Sequence, residues 1–177
     1  MTILPDGKIS ELLSSELKSS TSSEYRRYIF LHLYLNTSYV GSDICGFNGA
    51  TNEELCLRWQ QMGAFHSFMR NHNSEGEPPQ DPTQWPSVTA ATKKANLFRY
   101  RYLPYLFTLH HLASSDGGTV IRPMFFEFPH DSSTYNLGYQ YMWGPSFLVA
   151  PVLFQVKRNP NFINFLLGSL NCFLIHS

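Results

Sequence analysis

Asp43 and His72 are the residues whose types and spacing could do chemistry together. A carboxylate accepts hydrogen bonds and an imidazole donates them, so the two are complementary wherever a fold brings them over one mouth. Phe47 and Arg70 stand close by in sequence and would add an aromatic face and a fixed positive charge. By residue type alone each has a plainer role. Asp43 could cap the turn after it, His72 could be a satisfied histidine at a strand end, and Phe47 could be core.

The elements that must position these residues lie between Tyr39 and Ser74. The run Tyr39-Val40-Gly41-Ser42 reads as a short strand that delivers Asp43. A Gly-rich turn follows from Cys45 to Ala50. Thr51 with Glu54 three residues on then predicts a capping box, the hydroxyl taking an orphan N–H and the glutamate reaching back. Leu55, Trp59, Met62 and Phe65 recur at helical spacing, and the chain arrives at a second polar cluster, Arg70-Asn71-His72-Asn73. Strand, polar tip, helix, strand, polar tip is the pattern of a βαβ unit whose loops share one face, which puts Asp43 and His72 over the same mouth.

Composition excludes several classes. Thirteen Lys and Arg balance thirteen Asp and Glu, so nothing marks a nucleic-acid or anionic-membrane surface. An Asn-His-Asn nuclease site at Asn71–Asn73 fails on that neutral charge and on the missing second histidine and metal partners. At 177 residues the chain suffices for one domain but is short of the roughly 250 residues of a whole (β/α)8 barrel. Cys45 and Cys56 bracket the Gly turn and the first helical turn, close enough to be bridged; two reduced buried thiols are the other option. Cys172 stands alone.

Before Tyr39, residues 1–24 are polar and Ser-rich and read as a loose helix or a disordered arm. The apolar run Tyr28–Leu35 is far below the roughly 20 residues that span a bilayer, and no transmembrane segment is expected. Asn36-Thr37-Ser38 is a glycosylation sequon that counts only in the secretory pathway. The start, Met1–Gly7, has neither the basic region nor the apolar stretch of a secretory signal. Downstream, Glu75–Pro86 reads as a Pro-rich loop without regular structure. Thr89–Ala113 reads as one long helix with Leu97, Tyr100, Leu103, Leu106, Leu109 and Leu112 as its apolar face and a kink at Pro104. His110 and His111 near its end sit where an imidazolium is favourable, but adjacent helical residues diverge by about 100° and do not readily share a metal. Thr119–Phe128 and Tyr141–Phe154 read as strands joined by a polar turn over Asp131–Gly138. Phe162–Ile175 is apolar, interrupted, and too short to span.

The motifs GSDICGF (residues 41–47), EELCLRWQQMGAF (53–65), FMRNHNS (68–74), RYRYLPYL (99–106), RPMFFEFP (122–129) and MWGPSFLVAPVL (142–153) occur in this order. Together they closely resemble the retaining α-glucosidases of glycoside hydrolase family 31. Cys45, Cys56 and Asn71-His72-Asn73 resemble the lysosomal and brush-border branch of that family more than its endoplasmic-reticulum branch. The resemblance implies an α/β fold: the carboxyl-terminal part of a (β/α)8 TIM barrel, then the first strands of a β-sandwich. It divides the chain into a non-matching segment 1–38, last barrel units 39–115, the sandwich start 116–154 and a non-matching tail 155–177. It also implies a Cys45–Cys56 disulfide and hence an oxidising compartment. An oxidised core with no leader, and an unmatched stretch at each end, lead to the expectation of a missing amino-terminal part and a truncated gene model or aberrant transcript; a genuine tail is the alternative.

The resemblance further implies that Asp43, Phe47, Arg70 and His72 belong to the subsite for a non-reducing glucose. Phe47 would cover the ring, Asp43 and His72 would bond hydroxyls, and Arg70 would orient them. No cofactor or metal is implied, and the partner is an α-glucoside oligosaccharide. Retaining enzymes of this kind need two carboxylates about 5–5.5 Å apart. In the family both lie ahead of the GSDICGF segment, where neither motif is present and the one aspartate, Asp6, has no matching surroundings. The expectation is therefore a glycosidase segment of the secretory pathway that lacks both catalytic groups and is inactive alone. Glu53 and Glu54 are poor substitutes. A non-catalytic carbohydrate- or partner-binding remnant is the alternative function, opposed by the sheet edges that a partial barrel exposes.

Overall fold

The structure, a computed structural model, describes residues 38–138 and 140–152 and the backbone of Asn171–Leu174. The Ser-rich arm, the apolar run at 28–35, the sequon at Asn36 and the side chain of Cys172 lie outside the described residues.

The amino-terminal unit is a βαβ. Strand β1 (Asp43–Ile44) pairs in parallel with β2 (Arg70–Asn71), Asp43 opposite Arg70 and Ile44 opposite Asn71, with helix α1 (Glu53–Gly63) between them. α1 packs so closely on β1 that a Cβ at Gly63 would overlap the Ile44 side chain. The helix start departs from the expected capping box. Asn52, not Thr51, is the cap, its Oδ1 accepting from the Leu55 N–H at 2.9 Å. Asn caps at least as well as Thr, and starting at Asn52 puts Glu53 and Glu54 together in the first turn, where the helix dipole favours negative charge. Glu54 then pairs with Arg58 one turn on, at 2.9 Å, and the Glu53 carboxylate accepts from Ser87 Oγ.

The expected single helix is two, α2 (Pro86–Arg101) and α3 (Leu103–Ser115), and the regular structure begins three residues earlier than expected. Pro86 suits a first helical turn, where its missing N–H costs nothing. A short 3-10 turn, Pro82–Gln84, also interrupts the Pro-rich loop, capped by Asp81. The break falls at Tyr102 (φ −105°, ψ 11°), two residues before Pro104. Pro104 has no N–H for the carbonyl one turn back and its ring crowds that carbonyl, so it fits the first turn of a new helix. The break changes which side chains face inward. Leu106 and Leu109 are buried, but Leu97 and Tyr100 are 62% and 70% exposed, and Leu103 and Leu112 are exposed as well. Val88, Ala95, Phe98, Tyr102 and Tyr105 supply the inner face instead.

The carboxyl-terminal unit is a sheet of order β3-β4-β5-β6. β3 (Ile121–Pro123), β4 (Tyr141–Trp143) and β5 (Phe147–Ala150) are antiparallel neighbours, and β6 (Asn171–Leu174) runs parallel to β5. Both long strands expected here are shorter. The first stops at Pro123, which cannot donate to a ladder, and turns into the helical turn α4 (Met124–Glu127), spanned by an Arg122–Glu127 ion pair at 2.6 Å. The second folds into the β4–β5 hairpin at Gly144, whose φ of +49° suits a residue without a Cβ, followed by Pro145. A strand, β6, lies within the apolar tail.

One core joins both units, with Ile44, Trp59, Met62 and Phe65 from the first and Ile121, Tyr141, Trp143 and Val149 from the second. Phe65, just past α1, stacks on Phe98 and Trp143 at centroid distances of 5.2 and 5.4 Å. Its carbonyl accepts both from Trp143 Nε1 (2.7 Å) and from the Tyr141 hydroxyl (3.1 Å). Arg99 closes the end of α1 by donating to the carbonyls of Ala64, His66 and Ser67.

Candidate functional site

The site lies at the carboxyl ends of the two parallel strands. Asp43 is 3% exposed. A buried carboxylate needs a partner, and the strand register supplies one: Arg70 stands directly opposite, its Nη2 2.6 Å and its Nε 3.1 Å from Oδ1. Both bonds fall on one oxygen, which leaves Oδ2 outside the ion pair. Arg70 itself is half-exposed and lies over the Phe68 ring, 5.7 Å from its centroid.

The turn after β1 carries Phe47 and the stretch after β2 carries His72, and the two rings meet at 5.3 Å with an interplanar angle of 41°. His72 is exposed and Phe47 half-buried. The Ser74 N–H donates to the Phe47 carbonyl at 3.0 Å, a further link between the two loops. The structure thus brings together all four residues singled out from the sequence, as an Asp–Arg pair beside a Phe–His pair.

Beneath them the chain is pinned. Cys45 (φ +72°) and Gly46 (φ +88°) are consecutive left-handed residues, and Cys45 is disulfide-bonded to Cys56 in the first turns of α1. Gln60 Nε2 lies 3.5 Å from Cys45 Sγ. Gln80 is the residue that sequence reasoning missed. It sits in the Pro-rich loop read as surface, yet it is 4% exposed, with its side-chain amide aimed under both tips. Nothing in its type or neighbours announces this. Next to it, Asp81 accepts from the Thr83 hydroxyl and N–H at 2.6 and 2.8 Å, bonds that hold its carboxyl below the usual carboxylate range.

Among the described residues, His110 is the other titratable residue with a resolved perturbation. Its ring meets Tyr39 edge-on at 5.6 Å, and burial, with the Arg99 charge second, pushes its pKa below the ordinary 6.5. This reverses the expectation of a favoured imidazolium at the helix end: desolvation of the charged form outweighs the dipole. Among the described residues no helix is long and apolar enough to cross a membrane.

Three kinds of comparison bear on this arrangement. The "Glycosyl hydrolases family 31 TIM-barrel domain" model matches residues 19–109, and the "Glycosyl hydrolase family 31 C-terminal domain" model matches residues 117–163. Among curated proteins, the lysosomal alpha-glucosidase of Mus musculus is 54% identical over 121 residues, 67% of this chain and 13% of that protein. The probable maltase-glucoamylase 2 of Homo sapiens is 47% identical over 116 residues, 65% of this chain and 5% of that protein. Among solved structures, the Flavobacterium johnsoniae dextranase FjDex31A complexed with glucose aligns at a TM-score of 0.71 and 26% identity, over 81% of this chain and 19% of that one. A family 31 alpha-glucosidase from Bacteroides thetaiotaomicron aligns at 0.68 and 29%, over 77% and 24%. The chain therefore spans only about an eighth of the lysosomal enzymes it matches (13% for the mouse protein). The βαβ unit with α2 and α3 is the carboxyl-terminal part of a TIM barrel, and the sheet after it is the start of the C-terminal domain. With both domain models matched in order across most of its length, this chain belongs to glycosyl hydrolase family 31.

Proposed function

We propose that this chain is the segment of a retaining α-glucosidase that forms part of the pocket for the terminal glucose of an α-linked oligosaccharide. The observation that carries this reading is the meeting of Asp43, Arg70, Phe47 and His72 at adjacent parallel strand ends. Asp43, with Arg70 holding Oδ1, presents an oriented acceptor to a sugar hydroxyl through Oδ2. The exposed His72 donates to a neighbouring hydroxyl, and the Phe47 face covers the C–H side of the ring. Arg70 orients Asp43 rather than the sugar.

These groups bind; they do not break the glycosidic bond. The nucleophile and the acid/base are absent from this chain, which is inactive by itself, and the bond-breaking pair belongs to the remainder of the barrel. The barrel part runs to about residue 115, where α3 ends, and the C-terminal domain begins beyond it. The Cys45–Cys56 disulfide and the likeness to lysosomal enzymes support a secretory-pathway location for the whole protein.

The test uses the complete enzyme chain that carries this segment. Asp43→Ala and His72→Ala each lower kcat/KM for maltose by roughly 10- to 1,000-fold, as loss of a bond that strengthens in the transition state does. Unchanged kinetics in both variants removes the pocket assignment. Saturable glucose binding by the 177-residue chain alone would favour the non-catalytic binding remnant instead.

A further inference from the structure

The β1–β2 ladder is two residues long, and every residue of the proposed pocket except Asp43 and Arg70 lies beyond its end. Past the ladder the backbones meet again at the Ser74 N–H bond to the Phe47 carbonyl. Between that bond and the ladder, the Gln80 side chain bridges the two tips. Gln80 Nε2 lies 3.1 Å from the Ile44 carbonyl and 3.1 Å from the Gly46 carbonyl on the first tip. On the second tip it lies 3.0 Å from the His72 carbonyl and 3.2 Å from Asn71 Oδ1. In return, Asn71 Nδ2 donates to the Gln80 carbonyl at 2.9 Å.

Two features make this more than incidental contact. All four neighbours are acceptors, so only the amide nitrogen can face them; the reverse orientation would set Oε1 against four oxygens. The nitrogen has two hydrogens to share among these four acceptors, two of which lie on each tip. The contacted positions also interleave with the pocket residues. Ile44 follows Asp43, Gly46 precedes Phe47, Asn71 separates Arg70 from His72, and the fourth contact is His72 itself. The carbonyls of Ile44 and Gly46 flank the two left-handed residues, where the chain turns away from any strand partner. Burying them requires an outside donor.

We propose that Gln80 is a positioning residue of the sugar pocket: its buried amide ties the Asp43–Phe47 tip to the His72 tip and sets the spacing between the acceptor and donor that grip the glucose. The assignment rests on the pocket reading given above. Gln80 touches no sugar; it acts through the two backbones. Misplacing a binding group by about 1 Å can cost on the order of 100-fold in rate, so the loss of this tie should register in catalysis.

The experiment compares Gln80→Met and Gln80→Glu in the complete enzyme chain, with maltose as substrate and a glucose-shaped iminosugar as binding probe. Gln80→Met keeps length and removes the donor. It should lower kcat/KM about 10- to 100-fold and weaken iminosugar binding. In an Asp43→Ala background the same substitution should cost clearly less than in the parent, because one of the groups whose spacing it sets is gone. Gln80→Glu gives a signature that a merely structural residue would not. Its carboxylate faces four acceptors and is impaired at neutral pH, whereas acidification protonates it and restores one donor, so its activity relative to the parent rises as pH falls. If Gln80→Met yields no folded enzyme, the Gln80→Glu profile decides. Parent-like kinetics in Gln80→Met, an equal loss with and without Asp43, or a Gln80→Glu profile parallel to the parent's overturns the assignment. Parent-like kinetics in both Asp43→Ala and His72→Ala overturns the pocket reading beneath it, a distinguishable result.

Discussion

The strand-end site and the junction between the two units are held in opposite ways. At the junction, Phe65, Phe98, Tyr102, Trp143 and Phe147 pack ring against ring, with only a few hydrogen bonds placed at their edges. At the site the apolar core reaches only as far as Ile44 and the Cys45–Cys56 pair. A disulfide, an ion pair and one glutamine amide hold turns that have almost no regular pairing. On the pocket reading proposed above, the difference is one of function. Packing resists deletion of volume and is indifferent to small rotations of a ring. Directional bonds fix where a carbonyl or carboxylate points, which a binding surface requires. The junction should therefore set how stable the fold is, and the site how well it is aimed.

Substitutions in this chain can break or sharpen that contrast, and urea unfolding would read the first three. The largest loss should come from the junction. Trp143→Ala removes a fully buried ring and its bond to the Phe65 carbonyl, and should cost about 3–5 kcal/mol. A cost below that of the disulfide would invert the comparison. The paired substitution Cys45→Ser with Cys56→Ser releases an 11-residue loop and should cost about 2–3 kcal/mol, an effect reproduced in the parent by reductant. Asn52→Ala should cost about 1 kcal/mol, whereas Thr51→Ala should cost clearly less; the reverse order would restore the capping box that the structure replaces.

The smallest effect concerns pH. The folded-state pKa of His110 lies below its ordinary 6.5, so the unfolded chain binds the proton first. His110 is neutral without penalty above about pH 6.5; as pH falls from there through the folded-state pKa, stability is lost. His110→Phe should flatten that part of a stability–pH curve, and an unchanged slope would assign the dependence to other groups.

The contrast also explains what was legible in the sequence. Residues whose role is set by neighbours in sequence could be read: the strand–helix–strand order, and an irregularity at Pro104, expected as a kink where the structure has a break. The Cys45–Cys56 pair came from the family resemblance, since spacing alone left two reduced thiols open. The four candidate residues were singled out because motifs carry them, not because spacing alone marks them. Where two local signals compete, the sequence misleads. Thr51 and Asn52 are both good caps, and the choice depends on what Glu54 gains from Arg58. Leu97 and Tyr100 follow the period of an unbroken helix, but the break at Tyr102 gives the inner face to Phe98 and Tyr105. Met124–Glu127 has strand-like composition, yet Pro123 ends the ladder. Gln80 was invisible for a further reason: a polar residue among prolines reads as surface, and its hydrogen-bond partners are 8 to 36 residues away.

The two bonds to the Phe65 carbonyl impose an order in time. Their donors, Tyr141 and Trp143, are encoded 76 and 78 residues after it. On a ribosome adding roughly 5–20 residues per second, that oxygen waits on the order of 4–16 s for its partners after Phe65 itself is made. In the later part of that interval the barrel segment is synthesised but unsealed, with the rings of Phe65 and Phe98 awaiting the strand that covers them. Nascent chains halted before Trp143 should accordingly bind chaperones that recognise apolar surface, and those extended past Ala150 should be released.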